Sequence, residues 1–279
     1  MIARAVAGFL NFLLYANVWI AVCATSMVLL TEWRLHGTLR PNALHGFVFF
    51  ATWSLYCAHR LVGMERVRRF RHEGRYRVIY TYRRHLLSYA ILGLGGALWG
   101  YLQLPRAVQL WTVAPALISL GYVLPLPGGR RLRDFDFWKI FLVAGAFAWI
   151  TVALPSFLHR PGAAPDGWLL LERFCFIFAI TLPFDIRDLR VDAHTRVRTL
   201  PALLGVRRTR WLALGLLVFS TLVLGAGGWR VPWGLIVANS VTALLILRSE
   251  RERDDAFYTG FLDGTMVLQL VGTLWSGVG

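Results

Sequence analysis

The sequence predicts an all-α, polytopic membrane protein with nine transmembrane helices. Three observations predict it. The 279 residues are 57% hydrophobic, with a mean hydropathy of +0.54. Only 16% are charged, where a soluble domain carries roughly a quarter. Apolar runs long enough to cross a bilayer recur from end to end.

The expected spans are roughly 7–30, 42–63, 85–103, 107–124, 137–154, 168–184, 211–228, 231–247 and 257–276. The first is read as a span and not as a signal peptide. It is too long, has only Arg4 before it and lacks a small-x-small cleavage site. Pro115, Pro155 and Pro183 fall within or beside spans, where membrane helices tolerate them. Pro183 has no N–H to give the preceding turn, so a kink or opening of the sixth helix is expected there. No soluble domain or low-complexity stretch interrupts the pattern, and residues 1–279 read as one domain.

The net charge of +15 comes from 29 Arg and Lys139 against 15 acids. In a soluble chain such a charge would point to nucleic acid. Here the bases sit in short connections, so no nucleic-acid partner is expected and the charge sets orientation instead. On this reading 24 of the 30 bases fall on one side of the membrane. The N-terminus and the even-to-odd connections are then cytoplasmic and the C-terminus is outside, the expected location being a bacterial inner membrane. The same side collects 11 of the 15 acids, which a plain topology signal does not require. A site for an anionic substrate and a metal would require it. Cys23, Cys57 and Cys175 lie inside apolar runs and give neither a disulfide framework nor metal spacing.

Four constellations carry chemistry. Asp185, Asp188 and Asp192 stand at i, i+3 and i+7, on one helix face, where the sixth apolar run ends. Acids at such a mouth are costly without a cation, and Mg²⁺ prefers these oxygens, usually arriving with a substrate phosphate. The competing reading pairs them with Arg187, Arg190, Arg196 and Arg198. The second constellation closes span 2: Trp53, Tyr56, His59 and Arg60, either a ligand contact or snorkelling interfacial residues. Tyr122 leads a third, a short turn with Arg130, Arg131 and Arg133 that continues to Lys139. It suits phosphate, and equally a positive-inside loop. The fourth is Asp263, two turns inside the last span and without a flanking charge there. An intramembrane carboxylate of this kind is a functional candidate, or else hydrogen-bonded to a Tyr, Thr or buried Arg.

At these residues the chain resembles the UbiA superfamily of intramembrane prenyltransferases. Asp185-x-x-Asp188-x-x-x-Asp192, with Arg198-Thr199 and Gly205 downstream, is similar to that family's second aspartate-rich motif. Tyr122 with the basic turn and Lys139 is similar to its connection between helices four and five. The resemblance spans essentially the whole chain. One departure stands out. Where the family carries Asn-Asp-x-x-Asp at the end of span 2, this sequence has Tyr56-Cys-Ala-His-Arg60.

The resemblance implies a nine-helix UbiA-like bundle and transfer of an isoprenoid from a prenyl diphosphate to a lipophilic acceptor, aromatic or quinone-type. Asp185, Asp188 and Asp192 are then the catalytic, Mg²⁺-binding acids. Substrate contacts fall to Trp53, Tyr56, His59, Arg60, Tyr122, Arg130, Arg131, Arg133, Lys139, Arg198 and Asp263. The alternative is a non-catalytic isoprenoid- or quinone-binding membrane protein that has lost the first motif. A transporter is disfavoured because no internal repeat and no matched pair of broken spans is present.

Overall fold

A computed structural model describes residues 12–124, 127, 131–132, 135–195, 197–250 and 254–277, the side chains of 65, 66 and 74 excepted. Among the described residues there is no strand. The helices are α1 (Val18–His36), α2 (Ala43–Val62), α3 (Gly74–Thr81), α4 (Arg83–Leu102) and α5 (Arg106–Val123). A 3₁₀ turn, Glu65–Phe70, links α2 to α3. Next come α6 (Trp138–Ala148) and α7 (Leu154–His159), joined without a break by a π-helical turn, Trp149–Ala153. The rest are α8 (Gly167–His194), α9 (Leu200–Ala226), α10 (Trp233–Leu247) and α11 (Asp263–Trp275), the last entered through a second π turn, Phe257–Leu262.

Each expected apolar segment is helical over most of its described residues. By length and composition, four are long and apolar enough to cross a membrane: Val18–His36, Arg83–Leu102, Trp138–His159 and Leu200–Ala226. Four crossings, and not the expected nine, are therefore supported on that ground. Among the others, α10 has only 15 residues and α11 only 13.

The boundaries follow from local chemistry. Asn42 caps α2, its side chain accepting from the N–H groups of Leu44 and His45. Asp166 caps α8 in the same way through Trp168 and Leu169. α8 is the axis of the bundle, and Phe176, Ile177, Ile180 and Leu182 on it are almost wholly buried among α1, α6, α9 and α11. The helix runs unbroken through Pro183, so the opening expected there does not occur. Twenty-eight residues at about 1.5 Å each make it about 42 Å long, and its last turns extend past the apolar stretch.

Lipid is as apolar as leucine, so such helices associate through close packing, for which small residues are suited. Ala144, Ala179, Ala213 and Ala238 are completely buried in α6, α8, α9 and α10. On α4, a Cβ at Gly93 would stand 2.9 Å from the Ser54 nitrogen, and one at Gly100 2.9 Å from that of Phe47. Glycine at both positions lets α4 lie directly on α2, where Ser54 Oγ donates to Ala90 O at 2.8 Å.

Candidate active site

The end of α8 opens into a cavity of about 280 Å³ walled by segments from most of the chain. Residues 14–20, the last turns of α2, the start of α3, Lys139 on α6 and the stretch before α11 all face it. The three aspartates of α8 line it, on successive turns as their spacing predicts.

Two cation sets meet them. The Lys139 ammonium lies 2.6 Å from Asp185 Oδ1 and 3.4 Å from Asp192 Oδ2. Its place is set by a turn: Phe137, at φ 63°, donates its N–H to Arg198 O at 3.1 Å, and Arg198 N–H donates to Asp136 Oδ1 at 2.8 Å. The start of α6 is thereby tied to the α8–α9 connection, aiming Lys139 at α8. Asp188 turns away, to Arg75 at 2.7 Å and Arg187 at 2.9 Å. Asp255 completes that group, 3.4 Å from Arg75 and 3.2 Å from Arg187. Burial works against the charge of Arg75, but Asp188, Tyr76 and Asp255 outweigh it and hold its pKa above the ordinary guanidinium value. The Arg187 guanidinium also lies over the rings of Phe184 and Tyr258, at 5.0 and 5.1 Å.

The end of α2 closes the opposite wall. Tyr56, His59 and Arg60 line the cavity, as do Tyr122, Arg131 and Asp263. Arg60 donates to Tyr15 O at 3.3 Å, and the His59 and Tyr122 rings lie 5.6 Å apart. Beyond Tyr56, His59 and Tyr122 lies a second, apolar cavity of about 130 Å³ between α2, α5 and α6, reaching Phe147 and Ile150.

Several expectations change. Trp53 does not line the cavity: its indole N–H donates to Ala16 O at 2.8 Å and its ring stacks on Tyr89, fixing α2 against its neighbours. Arg198 contributes backbone only, its side chain being exposed outside the cavity. Arg130 and Arg133 lie outside the described residues. Arg75, Arg187 and Asp255 enter without having been singled out as ligand contacts. Only Arg187 was foreseen as a partner of the acids. Arg75 and Asp255 are 180 residues apart, so no spacing along the sequence marks them.

The fit of a metal turns on the acids. Among the described residues no group of three or more His, Cys, Asp or Glu is poised to hold one. Asp185 and Asp192 face a lysine and Asp188 faces two arginines, so the carboxylates diverge. The donor chemistry nevertheless suits Mg²⁺: all three are carboxylates at a cavity wall, and buried Asp185 Oδ1 has an ion-pair contact but no hydrogen bond.

Comparison with known proteins places this architecture. The profile of the UbiA prenyltransferase family matches residues 77–264. The chain belongs to the UbiA prenyltransferase family, whose members are membrane transferases of isoprenoid groups. Among solved structures, a UbiA homolog from Archaeoglobus fulgidus bound to GPP and Mg²⁺ is similar over 94% of this chain and 99% of its own, at 12% identity and a TM-score of 0.63. The apo structure of a UbiA homolog from Aeropyrum pernix K1 is similar over 96% of both chains, at 12% identity and TM-score 0.56. A digeranylgeranylglyceryl phosphate synthase matches over 95% and 97%, at 14% identity and TM-score 0.55. No curated protein sequence matches the chain. At such identities the structures establish the fold, which is that of an integral membrane protein built of apolar helices.

Proposed function

We propose that the chain transfers an isoprenoid from a prenyl diphosphate to a lipophilic acceptor, aromatic or quinone-type. The observation that carries this reading is the junction of two unlike cavities. One is lined by Lys139, Arg60, Arg75, Arg187 and the aspartates of α8; the other is mainly apolar and holds no acid, lysine or arginine in its wall. A prenyl diphosphate has the same division between a polyanionic head and a hydrocarbon tail.

In this reading the diphosphate lies against the guanidinium groups and Lys139, which offset the charge that builds as the allylic C–O bond breaks. Asp185, Asp188 and Asp192 would hold Mg²⁺, which supplies further positive charge to the diphosphate oxygens. The tail extends past Tyr56 and Tyr122 into the apolar annex, where water that would quench an allylic cation is excluded. Tyr56 and Tyr122 line both cavities there, and aromatic rings suit such a cation. The Asp188 group faces the cytoplasm, with the N-terminus inside and the C-terminus outside. Reporter fusions after Arg77 and Gly279 should report opposite sides, and the same side for both would overturn this topology.

One observation favours a second reading, a binding protein without turnover: Tyr56-Cys-Ala-His-Arg60 offers no acid on α2. The deciding experiment is purification in detergent followed by mass spectrometry of the co-purifying lipid, with isothermal titration of geranyl diphosphate with and without Mg²⁺. Binding of the diphosphate and recovery of a prenylated product support transfer. An unprenylated isoprenoid or quinone, with no turnover of geranyl diphosphate, supports the binding protein. No binding of either ligand overturns both.

A further inference from the structure

Among the described residues, Asp263 is the one cavity acid with no lysine or arginine nitrogen in contact. Asp185, Asp188, Asp192 and Asp255 each lie within 3.4 Å of a lysine or arginine nitrogen. Asp263 is 8% exposed and lines the cavity, yet among the described residues its carboxylate has no hydrogen-bond or ion-pair partner. The expected Tyr, Thr or Arg partner is therefore not there. Two cavity cations are engaged elsewhere: Arg187 by Asp188 and Asp255, Arg60 by Tyr15 O.

Its backbone setting is fixed. Asp263 is the first residue of α11 after the π turn Phe257–Leu262. Such turns leave carbonyls displaced from the helical ladder. One of them, Gly260 O, accepts the Trp19 indole N–H at 3.0 Å, and the ring of Trp19 lies against Gly264. The wider turn rotates α11 relative to the segment before it and presents the Asp263 side chain to the cavity. Tyr56 lies on the same cavity and on the annex, and its hydroxyl likewise has no partner among the described residues.

Resting on the prenyl-transfer reading, we propose that Asp263 is the proton acceptor for a neutral, hydroxyl-bearing acceptor substrate, which Tyr56 helps to place. A carboxylate already paired with arginine or lysine is a weak base, because the neighbouring charge favours its ionised form. Asp263, with no such neighbour in contact, is the strongest base on the cavity wall. The C1–O bond of the prenyl diphosphate breaks, its electron pair leaving on the diphosphate. A bond forms from C1 to the acceptor, and the hydroxyl proton passes to Asp263. If C1 bonds to a ring carbon, the ring proton is lost on rearomatisation and the oxygen is reprotonated, so one proton is released either way. The acceptor class follows from the wall. A neutral phenol can approach Asp263, whereas an acceptor carrying its own carboxylate near the hydroxyl would meet like charge.

The test uses the full chain in detergent with geranyl diphosphate and Mg²⁺, and naphthalen-1-ol and naphthalene-1,4-diol as acceptors. Asp263→Asn should bind geranyl diphosphate within about twofold of the wild type, and its transfer rate near neutral pH should fall about 100-fold or more, the range of general-base contributions. As pH rises toward the acceptor's own ionisation, phenolate forms without the enzyme and the deficit should shrink about tenfold per unit. Asp263→Glu should recover part of the rate. Transfer by Asp263→Asn at the wild-type rate, or a deficit that is the same at every pH, overturns the proposal. So does a wild type that binds geranyl diphosphate but prenylates neither acceptor. A wild type that fails to bind geranyl diphosphate instead sinks the prenyl-transfer reading beneath it.

Discussion

The bundle buries ionisable clusters at both ends, and the two differ in a way that separates a site from a structural lock. About twelve residues along α8 separate Arg173 from Asp185, or about 18 Å. At the Arg173 end the two buried acids, Glu32 and Glu172, are enclosed. Glu32 accepts from Asn42 at 2.9 Å and contacts His45 at 2.8 Å and His159 at 3.0 Å. Glu172 lies 3.4 Å from Arg34 and 3.6 Å from Arg173, and Arg173 donates to Met27 O at 3.0 Å and Thr151 Oγ1 at 3.1 Å. None of the ionisable groups here lines either cavity; of their partners only Thr151 does, on the apolar one. At the Asp185 end the charges line a space of about 280 Å³, and one acid there, Asp263, has no partner among the described residues. Buried charge alone therefore does not mark a functional site. Charge facing a void does.

The sharpest way to break this comparison is to remove one acid from each end. Glu172→Gln leaves Arg34 and Arg173 buried without their counter-charge, a loss expected to cost about 3–5 kcal/mol of stability. Denaturant or thermal unfolding in detergent should show it, while folded protein binds geranyl diphosphate normally. Asp188→Asn should do the reverse. Arg75 and Arg187 keep Asp255, so expression and unfolding should change little. Mg²⁺-dependent binding of geranyl diphosphate should weaken 100-fold or more, about 2.7 kcal/mol. If Glu172→Gln abolishes binding at unchanged stability, the distinction between the two ends is wrong.

A smaller effect tests the departure at α2. Arg60 stands where the family's first acids would be, and a guanidinium offers a permanent charge suited to phosphate oxygens. Arg60→Ala should weaken geranyl diphosphate binding by roughly 1.5–3 kcal/mol, and Arg60→Lys should restore part of it. Normal binding by Arg60→Ala would leave that wall without a role in holding the head group.

The sequence made some of this legible and hid the rest for physical reasons. Helix spacing was enough to place Asp185, Asp188 and Asp192 on one face, because residues three, four and seven apart are neighbours on any helix. The apolar runs located the helices, since lipid demands length and composition together. Arg75 and Asp255 could not be read this way. Their meeting depends on α3 folding back under α8 and on the approach of the last helix, contacts that no local period encodes. The same holds for the partners that Glu32 on α1 finds, which come from α2 with its cap and from α7. Motif likeness assigns a position and not a side-chain direction, so it could not tell that Trp53 and Arg198 line neither cavity.

Arg198 allows the finest test of that last point. Its backbone does visible work: its carbonyl receives the Phe137 N–H and its own N–H reaches Asp136, the pair that aims Lys139 at Asp185. Both contacts survive replacement by alanine, since neither uses the side chain. The side chain itself is exposed and lines neither cavity. Arg198→Ala should therefore change geranyl diphosphate binding by no more than about 0.5 kcal/mol, as for an ordinary surface substitution. Asp136→Ala removes the acceptor for the Arg198 N–H and should loosen the turn before Lys139, so its effect should exceed that of Arg198→Ala. Titration of both variants against the wild type measures the difference. A loss of 1.5 kcal/mol or more in Arg198→Ala would mean that its guanidinium reaches the diphosphate, and that the cavity closes around ligand from the α8–α9 connection as well as from α3.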